Sequence, residues 1–335
     1  MDVTDLLARA RAAGASDLHL ATGEVPVLRV DGLLQRLDLP PLAATPLEDA
    51  LAPLLDEAQR RQWAGGDELD LAVTLPGAVR ARLNLYRQRN GPGVSLRLLP
   101  TRVPTVDELD LREVFQSVAQ WRDGLVLVGG PTGSGKTSTM AALVDQLNRQ
   151  HALHIITLED PVEVLHIGQR SLVNQRQVGR DCRSFAQGLR SALRQDPDVI
   201  VIGELRDLET IRLALRAAET GHLVLATVHT RSAVNSIDRL VEVFAAEEKA
   251  LVRAMLAESL RMVVAQVLLK RTGGGRVAAR EVLVTTPAVR NLIREGRMAQ
   301  LQSVMQTGAA VGMKTMEMAL QALRGQIDAD KRITN

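Results

Sequence analysis

The sequence predicts an α/β protein built from a small N-terminal α+β domain and a larger phosphate-loop domain. Two observations carry this prediction. The chain has 335 residues, a length that suits two domains better than one, and its apolar content of 46% is ample for ordinary cores. From residue 125 onward, short apolar runs alternate with amphipathic helical segments. This alternation is typical of a parallel sheet with helices on both faces.

The N-terminal third mixes helical and strand-like patterns. Gly14 ends a first amphipathic segment, after which period-two alternation replaces the helical period. The predicted elements are a helix at 3–13, strands within 16–37 with turns at Thr22-Gly23 and Asp31-Gly32, a helical stretch at about 45–63, and strands at 69–75, 78–86 and 94–100, the last two separated by the turn-rich RNGPG. We therefore expect residues 1–99 to form a domain of their own.

A proline and the lack of periodicity in TRVPT place a linker at residues 100–112. The second domain then covers residues 113–335. Its strand signals are LVLV, HIITL, VIVI and HLVLATV, with helical segments between them, and the remainder is mainly helical to the end. Because parallel strands end at a common edge, polar residues that follow these runs should lie close together.

Residues 125–139 contain a complete phosphate-loop pattern, G-x-x-x-x-G-K-[ST], between a buried strand and a helix. Glycines let successive backbone N–H groups point at a phosphate, and the helix N-terminus adds positive charge. Lys136 would neutralise the β- and γ-phosphates of ATP, and the Thr137 hydroxyl would hold Mg²⁺. The predicted nucleotide-binding residues are Gly130, Pro131, Thr132, Gly133, Ser134, Gly135, Lys136, Thr137 and Ser138.

Acidic residues follow two of the other buried runs. Glu204 follows the apolar run VIVI and Gly203, at the position that a Walker B acid occupies. Gly203, however, stands where a metal-binding aspartate is usual. A glycine cannot hold magnesium, so Glu204 or the cluster Glu159, Asp160 and Glu163 must do so. The predicted metal set is thus Thr137, Glu163 and Glu204, and the two glutamates are also candidate catalytic groups. The alternatives are a helix N-terminal charge for Glu204 and a solvated loop acid for Glu163.

Two histidines flank the run LVLATV. His222 and His229 stand seven residues apart and cannot form a helical metal motif, so we expect no metal there. His229 lies at the strand end nearest the phosphate loop, where an imidazole could sense a γ-phosphate. The alternative is ordinary packing or hydrogen bonding.

Composition excludes several classes of protein. The net charge of +2 is small, and basic and acidic residues are interspersed, which gives no support to nucleic-acid binding. Cys182 is the only cysteine, so an internal disulfide and a Cys₄ zinc site are excluded. The sequence lacks a signal-peptide pattern and a run of 18 apolar residues, so we expect a cytoplasmic protein. A GTPase would need N-K-x-D, which is absent.

The motifs together resemble those of the secretion-ATPase superfamily that drives type IV pili and type II secretion. GPTGSGKT, ITLEDPVE, LRSALRQDPDVIVIGELRDLETI and AAETGHLVLATVHT stand in that family's order and spacing, and GASDLHL and VLRVDG resemble the start of its N-terminal domain. The resemblance implies a PAS-like N-terminal domain, a RecA-like ATPase domain and a homohexamer. It also implies that Arg82 and Arg97 correspond to the N-domain arginines that reach ATP.

Two features favour the retraction ATPases within that superfamily, and hence twitching motility. Extension and secretion ATPases usually carry a tetracysteine motif, whereas this chain has one cysteine. In addition, residues 288–293, AVRNLI, resemble an element associated with retraction. The implied partners are an inner-membrane pilus platform protein and other pilus ATPases, at the base of the pilus machine. The alternatives are an accessory paralogue and a type II secretion or pilus assembly ATPase. Arg280 stands where related sequences show histidine.

Overall fold

The computed structural model describes residues 3–30, 32–75, 79–99 and 102–327. The protein is an α/β protein with two sheets and two compact units. Unit 1 comprises Met1–Arg102 and Pro161–Val164, and unit 2 comprises Val103–Asp160 and Leu165–Asn335. Several predictions involve positions outside the described residues. These positions are Asp31 in a turn, residues 1–2 and 76–78 of the predicted domain 1–99, of which 78 begins the predicted strand 78–86, Pro100 at the end of the predicted strand 94–100 and, with Thr101, in the linker, and 328–335 at the end of the second domain.

Unit 1 is a six-stranded antiparallel sheet with three helices. Its strands are β1 Asp17–Ala21, β2 Val27–Val30, β3 Leu33–Arg36, β4 Leu69–Leu75, β5 Val79–Gln88 and β6 Gly91–Leu98. Its helices are α1 Val3–Ala12, α2 Ala44–Leu51 and α3 Glu57–Ala64. The strand order is β3-β2-β1-β6-β5-β4. The short α1 ends as predicted where Gly14 takes a φ of 65°.

The unit 1 sheet has one apolar and one polar face, as alternation requires. Leu18, Leu83 and Leu96 point into a leucine-rich core that α1 and α2 complete. On the other face, Arg82 of β5 and Arg97 of β6 are directly paired. Residues that are directly opposite on adjacent strands share a face of the sheet, so both arginines lie on the polar face.

Two predictions in unit 1 are wrong in detail. The stretch at 45–63 is interrupted, because a 3₁₀ turn at Ala52–Leu54 follows α2 and a capping box starts α3. In that box Asp56 accepts from the Gln59 N–H, and Gln59 accepts from the Asp56 N–H. The RNGPG segment contains a shorter turn than predicted, since Gly91 already belongs to β6 and only residues 89–90 form the turn.

Unit 2 contains a seven-stranded sheet in the order β13-β12-β7-β11-β10-β8-β9. Its strands are β7 Gly124–Gly129, β8 His154–Glu159, β9 Leu172–Gln177, β10 Val199–Ile202, β11 Leu223–Val228, β12 Leu260–Lys270 and β13 Arg276–Val284. Its helices are α4 Arg112–Val118, α5 Lys136–Gln150, α6 Phe185–Ala192, α7 Leu208–Glu219, α8 Ala233–Glu242, α9 Lys249–Ser259, α10 Pro287–Glu295, α11 Leu301–Thr307 and α12 Met316–Ala322. The pairings from β12 to β9 are parallel, and β13 is an antiparallel edge.

The central strand β7 faces two cores. Leu125 and Leu127 pack into one apolar cluster, whereas Val126 and Val128 pack into the other. A strand that is buried on both faces is apolar at every position. For this reason the apolar run LVLV predicted a parallel sheet correctly. No described helix has both the length and the apolar character that a membrane span requires.

The prediction that the sequence after β11 is mainly helical holds for five helices of the described residues but missed a hairpin. Two of the longest strands, β12 and β13, form a hairpin there around a turn that contains Gly273, Gly274 and Gly275. All three glycines have positive φ values, between 77° and 104°. The run LRMVVAQVLLK is apolar without clean alternation because β12 is buried between β7 and β13, so periodicity alone does not separate it from a helix.

Candidate active site

The phosphate loop joins β7, in the middle of the sheet, to α5. Gly130, Gly133 and Gly135 have φ values of 155°, 77° and 88°, so the loop adopts a backbone that residues with a Cβ rarely take. Gly135 is the N-cap of α5 and has no side chain that could cap the first N–H groups. These groups suit an anion at the start of Lys136–Gln150.

Sequence reasoning missed Gln266, which braces the loop from β12. Its Nε2 donates to the Ser134 carbonyl oxygen at 2.6 Å, and its Oε1 accepts from the Thr139 hydroxyl at 2.8 Å. A Cβ on Gly130 would lie 2.6 Å from the Gln266 carbonyl oxygen, so that glycine is required by crowding as well as by φ. The signal available in the sequence was a single glutamine in an apolar run.

Lys136 is buried at the mouth of the loop. Its Nζ donates to the carbonyl oxygens of Gly130 and Pro131 at 2.7 and 2.9 Å. Burial lowers the pKa of Lys136, and the negative charge of Glu204 opposes that shift. The lysine and the glutamate that the sequence singled out therefore interact within unit 2.

The edge of the sheet collects the predicted groups from neighbouring strands. Glu204 follows β10 and is largely buried, with 12% of its side chain exposed. Its Oε2 lies 2.7 Å from Arg206 Nε and 3.2 Å from His229 Nε2, which follows β11. A guanidinium and an imidazole thus hold one carboxylate oxygen at the edge where the phosphate loop begins.

The glycine before Glu204 also has a structural reason. A Cβ at Gly203 would lie 3.1 Å from the Leu158 carbonyl oxygen of β8, closer than backbone atoms normally allow. The alternative interpretation of Glu204 as a helix N-terminal charge is wrong. The next helix begins at Leu208, and Asp207 is its N-cap, accepting from the Thr210 N–H at 2.8 Å.

The predicted magnesium residues are divided between the two units. Thr137 is exposed in the first turn of α5, in unit 2 with Glu204. Glu163 belongs to unit 1, where its Oε1 lies 3.7 Å from Arg82 Nη1. Arg80 Nη2 donates to the Val162 carbonyl oxygen at 2.8 Å, so two β5 arginines hold this segment. No cluster of three or more histidine, cysteine, aspartate or glutamate residues suited to a metal occurs in the described part of the chain.

The two N-terminal arginines are both ion-paired. Arg82 makes two hydrogen bonds to Asp70, Nε to Oδ1 at 2.9 Å and Nη2 to Oδ2 at 2.6 Å. Arg97 Nε donates to Asp17 Oδ1 at 2.9 Å. The carboxylates offset the repulsion between two guanidiniums that are directly opposite on adjacent strands.

The remaining predicted groups have local roles in the structure. Glu159 accepts from the Thr157 hydroxyl at 2.6 Å and from Gln175 Nε2 at 3.0 Å. His222 precedes β11, at the end of the strand opposite to His229, and its Nδ1 lies 3.1 Å from the Ala217 carbonyl oxygen. His222 thus lies away from the phosphate loop, and the sensor role of His229 stays a prediction.

A comparison with family models identifies the chain. The model of the type II/IV secretion system protein family matches residues 1–327. This chain belongs to that family. Among family members, the Type IV pilus retractation ATPase PilT of Pseudomonas aeruginosa is 52% identical over 323 residues, which cover 96% of this chain and 94% of that protein. The Type IV pilus ATPase PilU of the same species is 38% identical over 314 residues, which cover 93% and 82%.

A solved structure agrees with the fold. The crystal structure described as the pilus retraction motor PilT with bound ADP aligns at a TM-score of 0.89 and 40% identity, covering 98% of this chain and 95% of that one. The high coverage means that this secretion-family chain has both sheets in common with its relative.

The segment that resembles a retraction element forms α10 of this family member. Val289 and Ile293 are fully buried in a core cluster. On the outer side, Arg294 and Arg290 both approach Glu258 of α9. The apolar side of this helix therefore packs on the core, and a role of the AVRNLI element in retraction stays a prediction.

Proposed function

We propose that this protein is a hexameric ATP-hydrolysing motor that powers type IV pilus retraction. The observation that carries the proposal is the edge of the unit 2 sheet, where a complete phosphate loop with a buried Lys136 follows β7 and the carboxylate of Glu204 follows β10. The similarity to a pilus retraction ATPase over nearly the whole chain supports the cellular role.

The nucleotide site uses backbone and side chain in different ways. The loop from Gly130 to Gly135 and the first turn of α5 offer N–H groups to the β-phosphate, and Lys136 neutralises charge on the β- and γ-phosphates. Pro131, Thr132 and Ser138 complete the lining. Thr137 and Glu204 would hold Mg²⁺, which fits because magnesium in such sites takes one or two protein ligands besides phosphate oxygens. Glu163 is the third candidate ligand.

Glu204 is the proposed general base. Its carboxylate accepts a proton from the water that attacks the γ-phosphorus, while the bond from that phosphorus to the β–γ bridging oxygen breaks. Arg206 and His229 hold the carboxylate in one orientation. Through the same contact, His229 would transmit the presence of the γ-phosphate to β11. Glu163 is the alternative base.

The proposed architecture is a PAS-like domain at residues 1–99, a linker at 100–112 and a RecA-like ATPase domain at 113–335. Arg82 and Arg97 stabilise the transition-state charge on the phosphates, as arginine fingers do. ATP turnover in a homohexamer then drives rigid-body domain motion. The motor works in the cytoplasm at the inner-membrane base of the pilus machine, on a platform protein and alongside other pilus ATPases.

An accessory role or a role in secretion or pilus assembly is the alternative. The higher identity to the retraction ATPase PilT than to PilU, 52% against 38%, favours the principal motor. Complementation of a strain with extended, non-retracting pili tests this choice directly. Restored twitching supports retraction. Hydrolysis without restored twitching points to an accessory or secretion ATPase.

The enzymatic part of the proposal predicts that Lys136→Ala abolishes ATP turnover. The ammonium group serves phosphates, so its loss removes transition-state charge stabilisation while the core is kept. Steady-state phosphate release measures the effect, and circular dichroism and the Tm establish folding. Lys249→Ala, at the start of α9, is the matched control and should turn over ATP normally. Near-normal hydrolysis by a folded Lys136→Ala protein contradicts the phosphate-loop assignment.

A further inference from the structure

Arg280 lies beside the strand that braces the phosphate loop. It is directly paired with Gln266 across β12 and β13, so both side chains are on the same face of the sheet. On that face Gln266 holds the Ser134 carbonyl, and Leu268 would be 3.4 Å from a Cβ on Gly135. Arg280 therefore lies on the strand next to β12, and the Gln266 and Leu268 side chains of β12 are close to the phosphate loop.

One nitrogen of the half-buried Arg280 guanidinium is shielded from water without an acceptor. Its Nε is inaccessible to solvent and has no hydrogen-bond partner, and within the described ranges no carboxylate lies within ion-pair distance of it. Burial lowers the pKa of Arg280 to about 10, although the charge of Asp110 opposes the shift. The group thus keeps its positive charge near neutral pH, and a half-buried charge without an ion pair is unfavourable unless a ligand supplies the counter-charge.

The order of the strands indicates which part of a nucleotide Arg280 would meet. Glu204 and His229 follow β10 and β11, on one side of β7, and they mark the side of the reacting γ-phosphate. Arg280 is on β13, on the other side of β7. Since a nucleotide extends away from its γ-phosphate through the α-phosphate to the nucleoside, its non-reacting end lies toward β12 and β13.

We propose that Arg280 is a nucleotide-binding residue whose guanidinium binds an oxygen of the α-phosphate of ATP or ADP. This inference rests on the proposed function, because it adds a contact at the same site. Guanidinium is the side-chain group best suited to a phosphate oxygen in a partly dehydrated place. The contact would be made equally to substrate and product, so it contributes to binding and leaves the chemical step unchanged.

The test compares Arg280→Met and Arg280→Lys with Arg276→Gln, an exposed arginine of the same strand, as the control. Titration with ADP should show a Kd about tenfold to a hundredfold higher for Arg280→Met, a partial recovery for Arg280→Lys, and no change for Arg276→Gln. In steady state, Arg280→Met should raise the KM for ATP and keep kcat. The Tm of ligand-free Arg280→Met should equal or exceed that of the wild type, because a half-buried charge without an ion pair is removed.

Several results would overturn the assignment. An unchanged ADP Kd in Arg280→Met, when Lys136→Ala lowers ADP affinity, would assign Arg280 to packing. Equal weakening in Arg280→Lys and Arg280→Met would show that charge on a phosphate is not the contact. A wild-type protein that neither binds ADP nor hydrolyses ATP would instead overturn the proposed function itself, so the two failures are distinguishable.

Discussion

At the scale of single residues, the site depends on how one carboxylate is held. Glu204 is largely buried, and its Oε2 has Arg206 and His229 within 3.2 Å. Gly203 precedes it because the β8 backbone leaves little room for a Cβ. The usual metal-binding aspartate would crowd the β8 backbone at this position, and we propose that the chemistry falls to the glutamate one residue later. Such backbone spacing cannot be read from residue types alone.

We predict that Glu204→Gln binds ATP but hydrolyses it on the order of a hundredfold more slowly or worse, because the amide cannot accept the proton of the attacking water. Phosphate release is measured across a magnesium titration, with Glu163→Gln alongside. If Glu163 mainly positions magnesium, its defect should be partly relieved at high Mg²⁺. Glu209→Gln, an exposed glutamate of α7, is the matched control. If Glu204→Gln hydrolyses ATP normally and Glu163→Gln is inactive, Glu163 takes the role of general base and Glu204 that of positioning magnesium.

His166 predicts a pH dependence of stability. Burial lowers its pKa below the usual value near 6.5, against the attraction of Asp145, and its Nδ1 has no hydrogen-bond partner in the described part of the chain. A lowered folded pKa means that the unfolded state binds the proton more readily. The free energy of unfolding should therefore be unaffected by this group above about pH 6.5 and fall as the pH drops toward the folded pKa.

The measurement is urea unfolding of the wild type and His166→Gln at pH 7.5, 6.5 and 5.5. The variant cannot titrate at this position, so its stability should fall less on acidification than that of the wild type. Parallel pH profiles for the two proteins would show that His166 does not contribute to acid sensitivity.

At the scale of secondary-structure elements, the sequence predicted what local pattern determines and missed what pairing determines. The strands β7, β8, β10 and β11 were predicted because each is a short apolar run followed by polar groups. The hairpin of β12 and β13 was missed because burial on both faces removes the alternation of β12. Strand β9 was missed because its sequence, LVNQRQ, is polar, as an edge strand allows. The break at Asp56 had a readable capping box that a continuing helical period concealed.

The missed hairpin carries a prediction. Gln266→Leu nearly preserves side-chain volume but leaves the Ser134 carbonyl and the Thr139 hydroxyl without their partner. Two buried polar groups lose a hydrogen bond, at about 1–3 kcal/mol each. The free energy of unfolding should fall, and ADP affinity should fall with it because Ser134 belongs to the phosphate loop.

Thr139→Val provides the matched control for Gln266→Leu. It removes the hydroxyl and keeps the hydrogen bond from Gln266 to Ser134, so stability should fall less and ADP affinity should be retained. Urea unfolding and ADP titration measure both effects. Equal loss of ADP affinity in the two variants would mean that the hydrogen bond to the loop is not what matters.

At the scale of the whole molecule, each compact unit carries its own set of charged groups. Unit 2 contributes Lys136, Glu204 and His229 on one sheet edge. Unit 1 contributes Arg82 and Arg97 on its polar face, together with Glu163 from the segment Pro161–Val164. That four-residue segment belongs to unit 1 although it follows β8 of unit 2 in the chain.

The final prediction concerns these arginines. Arg82→Ala and Arg97→Ala should each lower ATP turnover on the order of a hundredfold or more, because a guanidinium that stabilises transition-state charge is lost. Hexamer assembly, measured by sedimentation, and ADP affinity should remain.

Both arginines are paired with carboxylates, Asp70 and Asp17, so loss of the ion pair has to be separated from loss of the arginine. Asp70→Asn and Asp17→Asn remove the carboxylate charge and keep the arginine. Exposed or half-exposed ion pairs contribute little to stability, so these variants should retain turnover. Wild-type turnover in both arginine variants, or an equal defect in the aspartate variants, would leave unit 1 without a catalytic group and contradict the proposed link between hydrolysis and motion.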